Sequence, residues 1–310
     1  MISKKDFIQL FLDLTEYTVP HGLEYRLEKF LPTGYKTDRA GMNYYIEVGK
    51  SETLFECHLD TAGYEPEKVT HVIEGDIIKT DGSTILGGDN KAGVVILLSM
   101  IKEKKPGVYY FFIGEERNGK GSRAILASNP DYFRKFKRSI AFDRKGYGSV
   151  VNIQFGRPCC SSEFEEEVVK NLEKNGIPWD KTLSRGMGTD NAILMDIIPE
   201  VTNISSGVFE EHSTREYIDI NYTYNLYQAV MKINWEDLPT IRIPMSEREE
   251  YRMEQEIRAR KREEVRKVRK KEEADKWMKD YKEKNKSEDL GESVNNKFIK
   301  NFNDFKNKKR

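Results

Sequence analysis

Hydrophobic and polar positions along the first 245 residues alternate between two periods. Short runs rich in β-branched and aromatic residues fall at 43–48, 53–58, 108–113, 139–142, 150–155 and 201–205, and each predicts a strand. Helical spacing lies between or beside them. Asn90 to Lys104 is apolar through its middle, opens at an Asp-Asn suited to capping and closes on Lys102, Lys104 and Lys105, which complement the negative end of a helix dipole. Phe164, Val168 and Leu172 recur four apart before Gly176, and Tyr222 to Ile233 gives another helical stretch. At the start, MISKKDFIQLFLDLTEY reads as an amphipathic helix and not as a secretory leader, because Asp and Glu interrupt its apolar run. Alternating strands and helices predict an α/β fold: a three-layer αβα sandwich with a mixed, mostly parallel central sheet.

The pattern changes after Leu238. Pro239 and Pro244 bracket a short extended segment, and from Ser246 to Lys286 neither Gly nor Pro occurs. Opposite charges recur four apart there, as in Glu254 with Arg258, Glu256 with Arg260, Glu263 with Lys267 and Asp280 with Lys284. Tyr251, Ile257, Val265, Val268, Trp277 and Tyr281 are too sparse for a coiled-coil seam, so a solvated single helix is expected. The predicted organisation is a folded domain over 1–238, a linker over 239–245 and a charged, mainly helical tail over 246–310 whose end is open to disorder.

Charge sharpens this division. The chain of 310 residues carries 52 Lys+Arg against 52 Asp+Glu, yet about 22 basic and 16 acidic residues fall in 246–310, leaving roughly +6 there and −6 in the remainder. The interleaved acids oppose tight phosphate binding, so nucleic acid is not an expected partner, and an unidentified protein is the candidate partner of the tail. With 37 % hydrophobic and 34 % charged residues the chain can bury one substantial core. No run of about eighteen apolar residues exists, which excludes a membrane-spanning helix and makes a cytoplasmic location the expectation. Cys57, Cys159 and Cys160 are too few and too poorly spaced for a disulfide framework and are read as reduced thiols.

Chemistry gathers just past the strand ends. His58 closes the run TLFECH and Asp60 follows it; Glu115 and Glu116 follow VYYFFIG; Asp143 follows SIAF. In open α/β sheets that edge is where ligands bind. Asp89, in the turn LGGDNKAG, and His212, in FEEHSTREY, are candidates for the same place. Singly, each has an ordinary structural reading as a cap, a solvated turn or a surface ion pair. Together they supply imidazole and carboxylate donors for a pair of divalent ions, zinc by preference and cobalt or manganese by tolerance. One carboxylate is left over to act as a general base, and Asp60 is placed to accept the second ring N–H of His58. His21 and His71 fit no ligand position.

The ordered segments HLDT, LGGDNKAG, GEERNGKGS, AFDRKG and EEHSTREYID resemble the co-catalytic di-zinc exopeptidases, the superfamily of leucyl aminopeptidases, tripeptidases and aminoacylases. The resemblance spans about residues 5–235. It implies that Asp89 bridges two metals, that His58 and Asp143 complete one site, that Glu116 and His212 complete the other, and that Glu115 is the base. It further implies a cis peptide after Asp89 and a substrate contact at Thr189 and Asp190 in GMGTD. Many relatives carry a lid or dimerisation domain between the aspartate and the last histidine; here about seventy residues separate Asp143 from His212, which favours a compact single-domain body. The expected activity is metal-dependent hydrolysis of a terminal amide bond, with a short peptide as substrate. Alternatives are hydrolysis of an N-acyl amino acid and a silent binding module acting through its tail. Two-metal phosphoryl chemistry is disfavoured because no basic phosphate cradle accompanies the ligands.

Overall fold

The computed structural model describes residues 1–284. Helix α1 (Lys4–Leu14) starts on Ser3, whose hydroxyl accepts the Asp6 N–H, and buries Phe7, Phe11 and Leu14. Strands β1 (Lys36–Thr37), β2 (Tyr44–Val48) and β3 (Thr53–His58) follow, then a hairpin of β4 (His71–Glu74) and β5 (Ile77–Thr80). Helix α2 (Gly88–Lys102), strand β6 (Gly107–Phe112), helices α3 (Lys120–Ser128) and α4 (Pro130–Phe133) and strand β7 (Arg138–Arg144) carry the chain across the sheet. Next come β8 (Ile153–Gln154), β9 (Arg157–Pro158), α5 (Ser162–Lys174), β10 (Arg185–Gly186), α6 (Asp190–Leu194) and β11 (Glu200–Ser205). The body closes with β12 (Val208–Phe209), β13 (Tyr217–Asp219) and α7 (Ile220–Lys232), and α8 (Glu247–Lys284) follows.

The central sheet has the order β1-β2-β6-β3-β7-β11. Strands β6, β3, β7 and β11 are parallel, while β2 runs antiparallel to β6 and β1 antiparallel to β2. Alternation along the strands divides the core. Phe55, Cys57, Tyr109, Phe111 and Phe142 join the layer that holds α1, α2, α5 and α7; Leu54, Tyr110 and Phe112 join Ile125, Phe133 and Leu194 under α3, α4 and α6. This is the expected three-layer α/β arrangement. Helix α2 is buried almost throughout its length, so it is apolar all round and not striped. All three cysteines are free and buried. Among the described residues, no helix is long and apolar enough to cross a membrane.

Two segments depart from the sequence reading. The run 150–155 is not one strand of the central sheet: only Ile153 and Gln154 form a strand, Val150 makes an isolated bridge to Ile204, and Phe155 turns into the left-handed region at φ 50° beside Gly156. It belongs to a small β10-β8-β9 sheet. A four-stranded sheet, β12-β13-β5-β4, was not foreseen, since it pairs residues far apart in sequence.

Contacts divide the chain at residue 246, with α8 in the second unit. The segment before that division is anchored to the body. Buried Arg138 donates to the Leu238 carbonyl and Thr240 Oγ1, while buried Glu200 accepts from Ser161 N, Ser161 Oγ, Ile241 N and Arg242 N. Helix α8 has 38 residues, with ion pairs at Glu254–Arg258 (3.2 Å) and Glu263–Lys267 (3.1 Å). The side chains of Lys282 and Lys284, and residues 285–310 of the expected tail, lie outside the described residues, and so does the expected Asp280–Lys284 pair.

Candidate metal centre

Because β6, β3 and β7 are parallel, their carboxyl ends share one edge, and the expected donors meet there. His58, Asp89 and Glu116 each place a donor atom within 4.8 Å of the other two. His58 Nε2 lies 2.9 Å from Asp89 Oδ1 and 3.4 Å from Asp143 Oδ1. His212 Nε2 lies 3.2 Å from Asp89 Oδ2 and 2.8 Å from Glu116 Oε1. The two oxygens of Asp89 thus face different histidines, each accompanied by its own second carboxylate.

The donors fit a divalent cation. Glu116 Oε1 and Asp143 Oδ1 are buried without a properly directed hydrogen-bond donor, although an imidazole nitrogen stands close to each. Although His58 bonds to Asp89, these two oxygens are left over at the centre of the cluster, and a cation among them supplies the missing interaction. Mixed imidazole and carboxylate sets suit zinc and its neighbours.

Asp89 is held from behind. The Gly87 and Asp89 N–H groups both donate to Glu216, whose carboxyl is 1 % exposed, and the Asp89–Asn90 peptide is cis, as the resemblance implies. Asn90 Oδ1 accepts the Gly93 N–H; a Cβ at Gly93 would collide with that side chain and approach the Phe142 carbonyl, so α2 can reach β7 this closely only through glycine. Buried Lys91 donates to the Leu59 carbonyl (2.6 Å) and Thr61 Oγ1 (3.2 Å), fixing the loop that leaves β3. Neither Glu216 nor Lys91 was expected as a site residue. Their contacts span long sequence separations, and the only signal in the sequence was their presence inside motifs already marked.

Asp60 stands beside His58 Nδ1 and also supports the loop after β6. The nearest acceptor for His58 Nδ1 is the Asp60 backbone carbonyl at 3.1 Å, with the carboxylate at 3.5 Å. The carboxylate oxygens accept the backbone N–H groups of Glu115 (3.0 Å) and Glu116 (3.1 Å). Thr189 and Asp190, expected to contact substrate, have polar partners within the protein. Thr189 Oγ1 donates to Asp143 Oδ2, Ser122 Oγ donates to Asp190, and both residues are buried, so they support the site from within. His21 pairs with Glu24 and His71 with Thr15, and neither is among the residues that bring donor atoms together.

So many acids at one edge perturb one another. Burial pushes the Glu115 carboxyl up to about 9, with Asp143, Asp190 and Asp89 adding to the rise against His58. Burial raises Asp143 to about 6, Asp190 to about 7 and Glu216 to about 7. Burial would also raise Asp89, but hydrogen bonds from His212 and His58 outweigh it and hold the carboxyl well below its usual range. His212 in turn is pushed up to about 11 by Asp89 and Glu116.

No protein-family model matches the chain. Among curated proteins it is 29 % identical over 166 residues to the uncharacterized protein YqjE of Bacillus subtilis (strain 168), covering 50 % of this chain and 43 % of that protein. The chain therefore spans under half the length of the curated relative it matches. Among solved structures it is similar to aminopeptidase PepT from Bacillus cereus ATCC 10987, at a TM-score of 0.57 and 16 % identity, over 74 % of this chain and 97 % of that one. A tripeptidase from Staphylococcus aureus subsp. aureus Mu50 gives 0.56 and 17 %, over 74 % and 97 %. The TET1 peptidase of Pyrococcus horikoshii, which can assemble into a tetrahedron or a large octahedral shell, gives 0.54 and 18 %, over 74 % and 98 %. At these identities the likeness is one of fold, and this chain has the fold that these peptidases share.

Proposed function

We propose that this protein is a metal-dependent exopeptidase, most simply an aminopeptidase, that hydrolyses the terminal amide bond of a short peptide. The observation that carries the reading is the division of Asp89, one oxygen toward His58 and the other toward His212. His58 and Asp143 would hold one divalent ion, Glu116 and His212 a second, and Asp89 both, with zinc the preferred metal and cobalt or manganese tolerated. Such a pair, when bound, polarises a scissile carbonyl and acidifies water.

The chain's own groups supply the proton handling. In this reading Glu115 accepts a proton from the attacking water and returns it to the leaving amine nitrogen. The Glu115 backbone is fixed by Asp60, so its carboxylate is presented from a set position beside the donors. Adjacent divalent charge would lower its pKa from about 9 toward the range where the ionised form is available at neutral pH. Cells that keep thiols reduced suit the three free cysteines, and a cytoplasmic location goes with the proposal.

The test is metal content by plasma mass spectrometry after purification without chelator and exposure to zinc, followed by a panel of free-amine and N-acetylated peptides. Close to two ions per chain with turnover of free-amine substrates supports the proposal. Turnover confined to N-acylated substrates replaces the aminopeptidase with an acyl-amino-acid hydrolase, and a metal content near zero removes the mechanism altogether.

A further inference from the structure

Beside the donor cluster, Asp89, Asp143, Lys145, Ser206, Val208 and Glu211 line a shallow recess that is open to solvent. Its walls carry one charge pair that the proposed chemistry does not use: Lys145 Nζ lies 2.7 Å from Glu211 Oε1. Lys145 follows β7 two residues after Asp143, and Glu211 immediately precedes His212, so both side chains ride on the segments that deliver candidate ligands.

Those segments are braced against each other. Ser206 N donates to the Arg144 carbonyl, Gly146 N to the Val208 carbonyl and Gly207 N to the Gly146 carbonyl. Glu211 sits between two non-glycine residues in the left-handed region, Glu210 at φ 53° and His212 at φ 60°. Backbone of this kind persists where surrounding contacts over-determine it. Here the Glu210 carbonyl accepts from Ser213 Oγ and its carboxylate from Arg215. The result is a carboxylate and an ammonium carried by braced backbone on the wall of the recess.

The pair itself is open to exchange. Lys145 is 56 % exposed and Glu211 25 %, and an ion pair in that setting contributes little to stability because water screens it. A ligand carrying one cation and one anion a few bonds apart could replace both partners without leaving either charge bare. The α-ammonium and side-chain carboxylate of an N-terminal Asp or Glu are such a set. The recess floor, made by Asp89 and Asp143, gives a bare carboxylate no other cationic side chain of the lining to meet.

We propose that Lys145 and Glu211 select the first residue of the substrate, Glu211 receiving its α-ammonium and Lys145 its side-chain carboxylate, so that peptides beginning with Asp or Glu are preferred. This rests on the exopeptidase reading and adds the substrate class to it.

The experiment compares wild type, Lys145→Met and Lys145→Arg, each loaded with zinc, in two measurements. In the first, kcat/KM is determined for Asp-, Glu-, Ala- and Lys-anilides. The expected result is a wild-type preference of about tenfold or more for the acidic substrates over Ala, cut by roughly tenfold in Lys145→Met, largely kept in Lys145→Arg, and with Ala turnover falling less than about threefold. In the second, calorimetry measures binding of free L-aspartate and L-alanine, and aspartate should bind about tenfold more tightly in a Lys145-dependent way. Equal handling of Asp and Ala in both measurements, or a Lys145→Met loss shared by all substrates, overturns the selection while leaving the peptidase in place. Lys145-dependent aspartate binding without turnover of any anilide upholds the recess and overturns the exopeptidase reading instead.

Discussion

The sheet edge and helix α8 are both rich in charge, and they use it in opposite ways. At the edge, His58 and Asp60 are 1 % and 0 % exposed, carboxyls share neighbours, and several ionisations are shifted far from their ordinary values. Along α8, the Glu254–Arg258 pair is 63 % exposed on each side and meets water at every approach. The same residue types therefore give a reactive, mutually dependent cluster in one region and a row of nearly independent weak pairs in the other. Burial, not charge density, makes the difference, because water screens what the interior does not.

The strongest way to break this contrast is Glu115→Gln. Loss of the base should lower turnover of a free-amine substrate by about 10³-fold or more while plasma mass spectrometry still finds the metal bound. Near wild-type rates would remove Glu115 from the chemistry.

A second test uses pH on chelator-treated protein, followed by denaturant unfolding. Acids whose folded pKa is raised hold protons in the native state that the unfolded chain has released, so stability falls as pH climbs through each window. Those windows are about 3.8 to 6 for Asp143, 3.8 to 7 for Asp190, 4.5 to 7 for Glu216 and 4.5 to 9 for Glu115. His212 acts in the same direction higher up, its contribution being complete below 6.5 and lost by about 11. Metal-free protein should therefore weaken steadily from pH 5 to pH 9, and zinc should flatten the slope. A flat profile without metal would mean that the cluster is solvated after all.

Glu200→Ala probes burial away from the donors. Three backbone N–H groups and the Ser161 hydroxyl would lose their acceptor, a destabilisation of about 3 kcal/mol in urea unfolding. A change below 1 kcal/mol would show water replacing the carboxylate. The smallest effect belongs to α8: Glu254→Gln should lower its helix stability by about 0.3–0.5 kcal/mol at low salt and by nothing measurable in 1 M salt, followed by circular dichroism. A large cooperative loss there would overturn the solvated reading.

What the sequence made legible follows the same division. Strand β3 and the helix of α8 could be read because their signals are local: an apolar run closed by His58, and charges four apart with no glycine or proline. The donors were legible as a set because parallel strands deliver their ends to one edge. What stayed hidden is what depends on distant partners. Glu216 supports Asp89 across more than a hundred residues, and Lys91 reaches carbonyls about thirty residues upstream. Thr189 and Asp190 were read as facing substrate because a glycine-rich stretch precedes them, whereas Asp143 and Ser122 draw their side chains inward. The run 150–155 looked like a sheet strand by composition, and the turn at Phe155-Gly156 ended it early.

The position of Asp60 has a consequence for how this protein can diverge. One carboxylate carries the backbones of both Glu115 and Glu116, and its main chain meets the ring of His58. A substitution that shifts any one of these shifts the others, so the floor tolerates few independent changes. Lys145 and Glu211 stand on braced segments above it, outside that linkage. Descendants or engineered variants with new preferences should thus accumulate their differences along the walls, with the floor inherited whole.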